Sequence, residues 1–129
     1  MPKERHPLSE FKNVWHKYSH DEKMTEIVKK LSPARFPLPG PHYDYVDLIE
    51  HIRYAIYYTC SCNPDELLEY HLPEIYKRFE KLSSEISNGS KAGFISETEY
   101  NYAFKYLTHL KKDFIRDWKE CFKWCVIQK

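Results

Sequence analysis

The stretch SETEYNYAFKYLTHLKKDFIRDWKECFKWCVIQK, Ser96 to Lys129, decides the fold. It contains no glycine or proline, and Ala103, Leu107, Leu110, Phe114, Trp118, Cys121 and Cys125 recur every third or fourth residue. That spacing returns side chains to one face of an α-helix, which turns once in 3.6 residues. Ser96 and Glu99 make a capping box at its start, each side chain suited to accept from the other's backbone N–H. At 1.5 Å per residue such a helix reaches roughly 50 Å. It should outrun its neighbours, so its end is expected to protrude or to be covered by a second copy. The step of four after Phe114 breaks a strict heptad and relaxes left-handed supercoiling.

Upstream, Leu68, Leu72, Ile75, Phe79, Leu82 and Ile86 step by four and three, a heptad seam on a fourth helix. Asn63, Pro64 and Glu66 suit its start. Pro73 lies within it and is expected to kink or split it, and Asn88-Gly89 is read as its stop. The third helix is capped at Asp44 and carries the stripe Tyr45, Leu48, Ile49, Ile52, Ala55 and Ile56. Its last part, YAIYYTC from Tyr54 to Cys60, is rich in β-favouring residues, but the 3.6 period upstream decides for helix. Residues 33–43 (PARFPLPGPHY) hold four prolines and one glycine and read as a stiff, extended strap. Before them lie two short helices. Ser9 caps the first, with Phe11, Val14, Trp15 and Tyr18 on one face. Ser19 and Glu22 box the second, with Met24, Ile27, Val28 and Leu31 on its face. The expectation is all-α: an up-and-down helical bundle of about five helices with a long C-terminal helix. Residues 1–129 read as one domain, in which 44–129 form a three-helix core and 1–32 pack across it.

Composition agrees. Apolar residues make up 42% and aromatics 16%, which argues against disorder, and only three glycines are present, too few for a turn-rich β fold. Twenty basic residues oppose nineteen acidic ones, so the whole-chain footprint of a dedicated nucleic-acid binder is missing. The opening MPKERHPLSE has no apolar export region, and no apolar run approaches a membrane span. A cytoplasmic, reducing location is expected, with no membrane association.

A reducing location makes Cys60, Cys62, Cys121 and Cys125 thiols rather than disulfides. In an up-down-up arrangement Cys121 returns to the level of Cys60, so the four are also the candidate ligands should the chain hold zinc. Their spacing matches no common zinc ribbon, and Cys121 and Cys125 continue an apolar stripe, so core thiols and no cofactor are the preferred reading. Among the seven histidines, His16 and His20 have i, i+4 spacing, His51 and His71 sit at similar heights, and His109 points more outward. Hydrogen-bonded structural histidines explain them best. There is no Gly-rich phosphate loop and no nucleophile elbow, so no catalytic residue is assigned and enzymatic activity has no support.

Tyrosines offer more. Tyr54, Tyr57 and Tyr58 on the third helix, and Tyr100, Tyr102 and Tyr106 on the fifth, spread over more than one face, so not all can be internal. Exposed Tyr gives rigid contact area with a polar tip, the usual anchor of a protein interface. The expected function is a small helical interaction module that binds and masks a partner protein, as an antitoxin, immunity protein or inhibitor does. The alternative is nucleic-acid binding along Lys105, Lys112, Arg116, Lys119 and Lys123. These read as scattered, because Asp113, Asp117 and Glu120 intervene. A metal-binding bundle is the third possibility.

Overall fold

Residues 7–32, 40–60 and 72–128 are described by a computed structural model of the protein. Among the described residues, a 3-10 turn at Pro7–Ser9 is followed by five α-helices: α1 Phe11–Lys17, α2 Glu22–Lys30, α3 Pro41–Cys60, α4 Leu72–Lys91 and α5 Glu97–Gln128. No strand occurs among the described residues, and none of their helices is long and apolar enough to cross a membrane. The all-α expectation, with the longest helix last, holds.

The three long helices pack pairwise, α1 lies on α3, and α2 bridges α3 and α5. Contacts fix the directions. Asp44 and Asp47 of α3 meet Lys81 and Arg78 of α4 in descending order, so these two are antiparallel. Tyr45 meets Tyr106 and Cys60 meets Cys121 in ascending order, so α3 and α5 run the same way. The arrangement is up, down, up.

The apolar stripes meet in one core. Tyr45, Leu48, Ile49, Ile52, Ala55 and Ile56 of α3 are fully buried, as are Ile75 and Leu82 of α4 and Ala103 and Phe114 of α5. Met24, Ile27 and Val28 close the side beneath α2. A fully buried side chain of this size contributes about 1.5–3 kcal/mol, which is why spacing alone places these helices.

Several helix ends differ from expectation. The cap of α2 is Asp21, not Ser19; its carboxylate accepts from the Met24 N–H at 2.9 Å. Glu10 precedes α1 without a side-chain cap, and Ser9 lies in the 3-10 turn. Helix α3 begins at Pro41, inside the expected strap, because a proline at the first helical position has no N–H to lose. Asp44 is therefore a first-turn residue with a buried side chain, not a cap.

Helix α4 passes through Asn88-Gly89 and stops two residues later. The Gly93 N–H donates to the Ser90 carbonyl at 3.1 Å and the Phe94 N–H to the Gly89 carbonyl at 2.9 Å, with Gly93 at φ 82°. These are the paired bonds of a Schellman stop, in which glycine occupies the left-handed position. Gly89 serves packing instead: a Cβ there would stand 2.1 Å from Leu31 Cδ2. The expected start at Asn63–Glu66 and the seam residue Leu68 lie outside the described residues. Pro73 is the second residue of α4 as described, and the residues before Leu72 that would show a kink or split lie outside the described residues. The Ser96–Glu99 capping box forms with bonds of 3.0 and 3.1 Å, and Lys30 of α2 adds an ion pair to Glu99 at 2.7 Å.

Cys60 and Cys121 form a disulfide across α3 and α5, with Cα atoms 4.9 Å apart. The expected levels of the two residues are right, but the preferred reading of them as free thiols is not. A disulfide sulfur is no thiolate, so a four-thiolate zinc set does not exist in this form. Cys62 and the side chain of Cys125 lie outside the described residues.

Candidate functional site

Helix α1 is only seven residues long and rests along the edge of α3, so its apolar face is too wide to be covered. Val14 is buried, whereas Trp15, expected on the same inner face, remains 49% exposed. Phe11 connects it to α3. Its ring centroid lies 5.8 Å from that of Trp15, 5.7 Å from Tyr54 and 5.4 Å from Tyr57. Tyr58 packs on Tyr54 at 6.0 Å and on Tyr57 at 5.7 Å. Five aromatic rings thus form one continuous surface, and Tyr54 is 44% exposed within it.

A buried cation underlies this surface. Arg53 places its guanidinium 3.6 Å from the Trp15 ring centroid and donates from Nε to the Tyr18 carbonyl at 2.7 Å. Burial draws its pKa below the usual arginine value. The indole face is held flat by this cation, so its rotamer is fixed before anything binds. A rigid, half-exposed aromatic surface of this kind loses little conformational entropy on association.

The other expected tyrosines do not join it. Tyr102 and Tyr106 stack at 6.5 Å on a different side of the bundle. Tyr102 donates to Asp21 Oδ2 at 2.7 Å, the Tyr106 and Tyr45 hydroxyls are 2.6 Å apart, and Tyr45 accepts from the Asp21 N–H at 2.9 Å. The hydrogen bond to Asp21 pushes the Tyr102 phenol up to about 12, and burial raises those of Tyr45 and Tyr106. These rings tie α2 to α3 and α5, so Tyr102 and Tyr106 are structural. Tyr100 stacks on Phe104 at 6.3 Å on another flank of α5, beside a shallow groove of about 360 Å³ between α4 and α5. The six tyrosines therefore divide into three groups. Only Tyr54, Tyr57 and Tyr58 belong to a continuous aromatic face, and Phe11 and Trp15, which complete it, were hidden in sequence by their helical spacing.

Close to the tyrosine network, a polar cleft of about 400 Å³ brings together Lys17, His20, Asp21, Tyr106, His109 and Asp113. Burial lowers the pKa of His20, whose ring meets Tyr45 edge-on. Beneath the cleft Asp117 is 1% exposed and accepts from the Tyr18 hydroxyl, with Lys17 Nζ at 2.7 Å and Arg116 Nε at 3.6 Å. No group of three or more His, Cys, Asp or Glu among the described residues is arranged to hold a metal ion. His51 bonds to the Asp47 carbonyl at 2.8 Å, while His71 lies outside the described residues.

Between α3 and α4, Asp44 Oδ2 and Glu85 Oε1 are both buried with no ordinary donor. A proton resolves both: protonated Glu85 donates to Asp44. Burial, then the hydrogen bond and charge of Asp44, lift the Glu85 carboxyl from 4.5 to about 8, against a smaller opposing pull from Lys81. A folded pKa above the unfolded one means stabilisation fully present below about pH 4.5 and lost as pH rises through about 8. Discounted for partial solvent screening, that loss is on the order of 2 kcal/mol. Glu85→Gln keeps the donor without the titration, so the variant should gain stability over wild type on going from pH 6 to pH 9. Parallel urea melts at the two pH values check this; identical pH slopes would show that Glu85 ionises normally.

The basic residues of α5, expected to be scattered, lie along one face. At about 100° per residue, Lys105, Lys112, Arg116, Lys119 and Lys123 fall within an arc of about 60°, and all five are exposed. Of the three intervening acids, Asp117 is internal and Asp113 pairs with Arg116 at 3.3 Å, leaving Glu120 at the edge. No protein-family model, curated protein or solved structure matches the chain, so its function is argued from these surfaces alone.

Proposed function

We propose that the protein is a helical protein-binding module, and that it masks a partner by laying the Phe11, Trp15, Tyr54, Tyr57 and Tyr58 surface against it. One observation carries the reading: two large aromatics, Trp15 and Tyr54, stand about half exposed in a ring cluster already rigid in the free chain. Interface energy concentrates in a few Trp, Tyr and Arg anchors, and a pre-packed anchor loses least on binding. The partner presents an apolar pocket that receives the exposed Trp15 and Tyr54 rings. Masking of this kind is what an inhibitor or immunity protein does.

The cytoplasmic expectation rested on the lack of an apolar export region and led to free thiols, a consequence that the Cys60–Cys121 bond does not fit. A structural disulfide suits an oxidising compartment better, so we place the encounter there.

The test is capture from source lysate after nuclease treatment, comparing wild type with Trp15→Ala and Tyr54→Ala. Each substitution should weaken a stoichiometric protein complex by about 2 kcal/mol, roughly 30-fold. Tyr106→Ala is not a usable interface probe, because it breaks the bond to Tyr45 inside the fold. Complexes of undiminished affinity with both variants would remove this surface from the interface.

A further inference from the structure

The unexplained feature outside the aromatic face is the cationic stripe of α5. Lys105, Lys112 and Lys119 repeat every seven residues, about 10.5 Å apart, with Arg116 and Lys123 between and beyond them. The array spans roughly 27 Å of helix. Lys105, Lys112, Lys119 and Lys123 are exposed and make no ion pair with any described residue. On an ordinary solvated helix, acids spaced four residues away neutralise such lysines. Here no acid stands three or four residues from Lys105, Lys112 or Lys119, and Glu120 alone is so placed for Lys123; Asp113 and Asp117 pair instead with Arg116, and Asp117 also with Tyr18 and Lys17. Arg116 is therefore already balanced and Glu120 borders the stripe, so the excess positive charge of this face is carried by the four lysines, which near-neutral overall composition conceals.

We infer that the α5 stripe binds the phosphate backbone of double-stranded nucleic acid without reading its sequence. A straight row of regularly spaced cations matches a stiff linear polyanion better than a compact acidic protein. The stripe holds no aromatic ring for stacking on unpaired bases, so a duplex is favoured over a single strand. It also holds no apolar side chain to enter a bilayer, so an anionic membrane is a poorer fit. Contacts are to phosphates, which position a protein and carry no base information. The inference is independent of the protein-binding proposal, since Trp15 and Tyr54 lie on α1 and α3.

Fluorescence anisotropy with a labelled 30-base-pair duplex tests it on the full-length, oxidised protein. Four to five phosphate contacts give a log–log salt slope of about −4, so affinity should fall several-hundred-fold between 50 and 200 mM salt. Lys112→Glu/Lys119→Glu should weaken binding at least 30-fold at 50 mM salt. Trp15→Ala should bind the duplex as wild type does, which separates this surface from the aromatic one. Circular dichroism confirms that the charge-reversed variant is folded; should it not be, Lys105→Gln/Lys123→Gln serves instead, with an expected loss of about tenfold. Four results would each overturn the inference: no binding at 20 mM salt, a salt-insensitive signal, reversal variants within twofold of wild type, or capture by phosphatidylserine vesicles in preference to duplex.

Discussion

Reduction of the Cys60–Cys121 bond should destabilise the protein by about 4 kcal/mol. The bond closes a loop of 61 residues between the ends of two core helices. In the chain-entropy treatment, restricting the unfolded ensemble over a loop of that length amounts to about 4 kcal/mol at 25 °C. For a chain of this size the loss corresponds to a fall in Tm of roughly 10–15 °C. Thermal melts with and without dithiothreitol measure it, and Cys60→Ala/Cys121→Ala should melt with the reduced form whatever the reductant. Peptide mapping of the alkylated, unreduced chain should find the two cysteines linked. A Tm indifferent to reductant would mean that the two sulfurs are unbonded in solution.

Asp117→Ala should cost about 3 kcal/mol. Its carboxylate is the one charged acceptor holding the buried Tyr18 hydroxyl, and it fixes Lys17 at the junction of α1 and α5. Truncation leaves a cavity and a buried phenol without its acceptor, and an orphaned buried donor loses about 1–3 kcal/mol before the cavity is counted. Lys17 and Arg116 are partly exposed and can turn to water, which keeps the loss below that of a fully enclosed ion pair. Tyr18→Phe combined with Asp117→Leu removes both polar partners at once, so the double variant should recover most of the loss. Chemical denaturation of the singles and the double measures the coupling; strictly additive effects would show that the two side chains act separately.

The long stripes were legible because burial dominates them. Leu48, Ile52 and Ile56, or Ala103, Leu107 and Phe114, have one low-energy placement each, and spacing is enough to find it. Helix ends were less legible because several residues compete to satisfy the same backbone groups. Ser19 and Glu22 carry the spacing of a capping box, yet Asp21 stands beside the first turn with a stronger acceptor. Gly89 and Gly93 both suit a stop, and the close approach of Leu31 assigns the first to packing and leaves the second for the turn.

The candidate site was half legible for a related reason. Tyr54, Tyr57 and Tyr58 were marked by the impossibility of burying every face of α3. Trp15 was assigned inward by its period, and only the shortness of α1 and its edge position leave it half exposed. Tyr102 and Tyr106 were counted among the partner-binding candidates, but their hydroxyls find Asp21 and Tyr45 across three helices, pairings that no local spacing encodes. The lysine stripe was obscured by acids whose charge the fold turns inward or pairs. The disulfide depends on the redox compartment as well as on geometry, and geometry alone was readable.

Amide hydrogen exchange on the captured complex tests the central claim most directly. Residues 11–17 and 53–58 should gain protection on binding, while the α5 face from Lys105 to Lys123 keeps the exchange of the free chain. Protection confined to α5, or to the groove between α4 and α5, would contradict the assignment of the aromatic face as the surface that meets the partner.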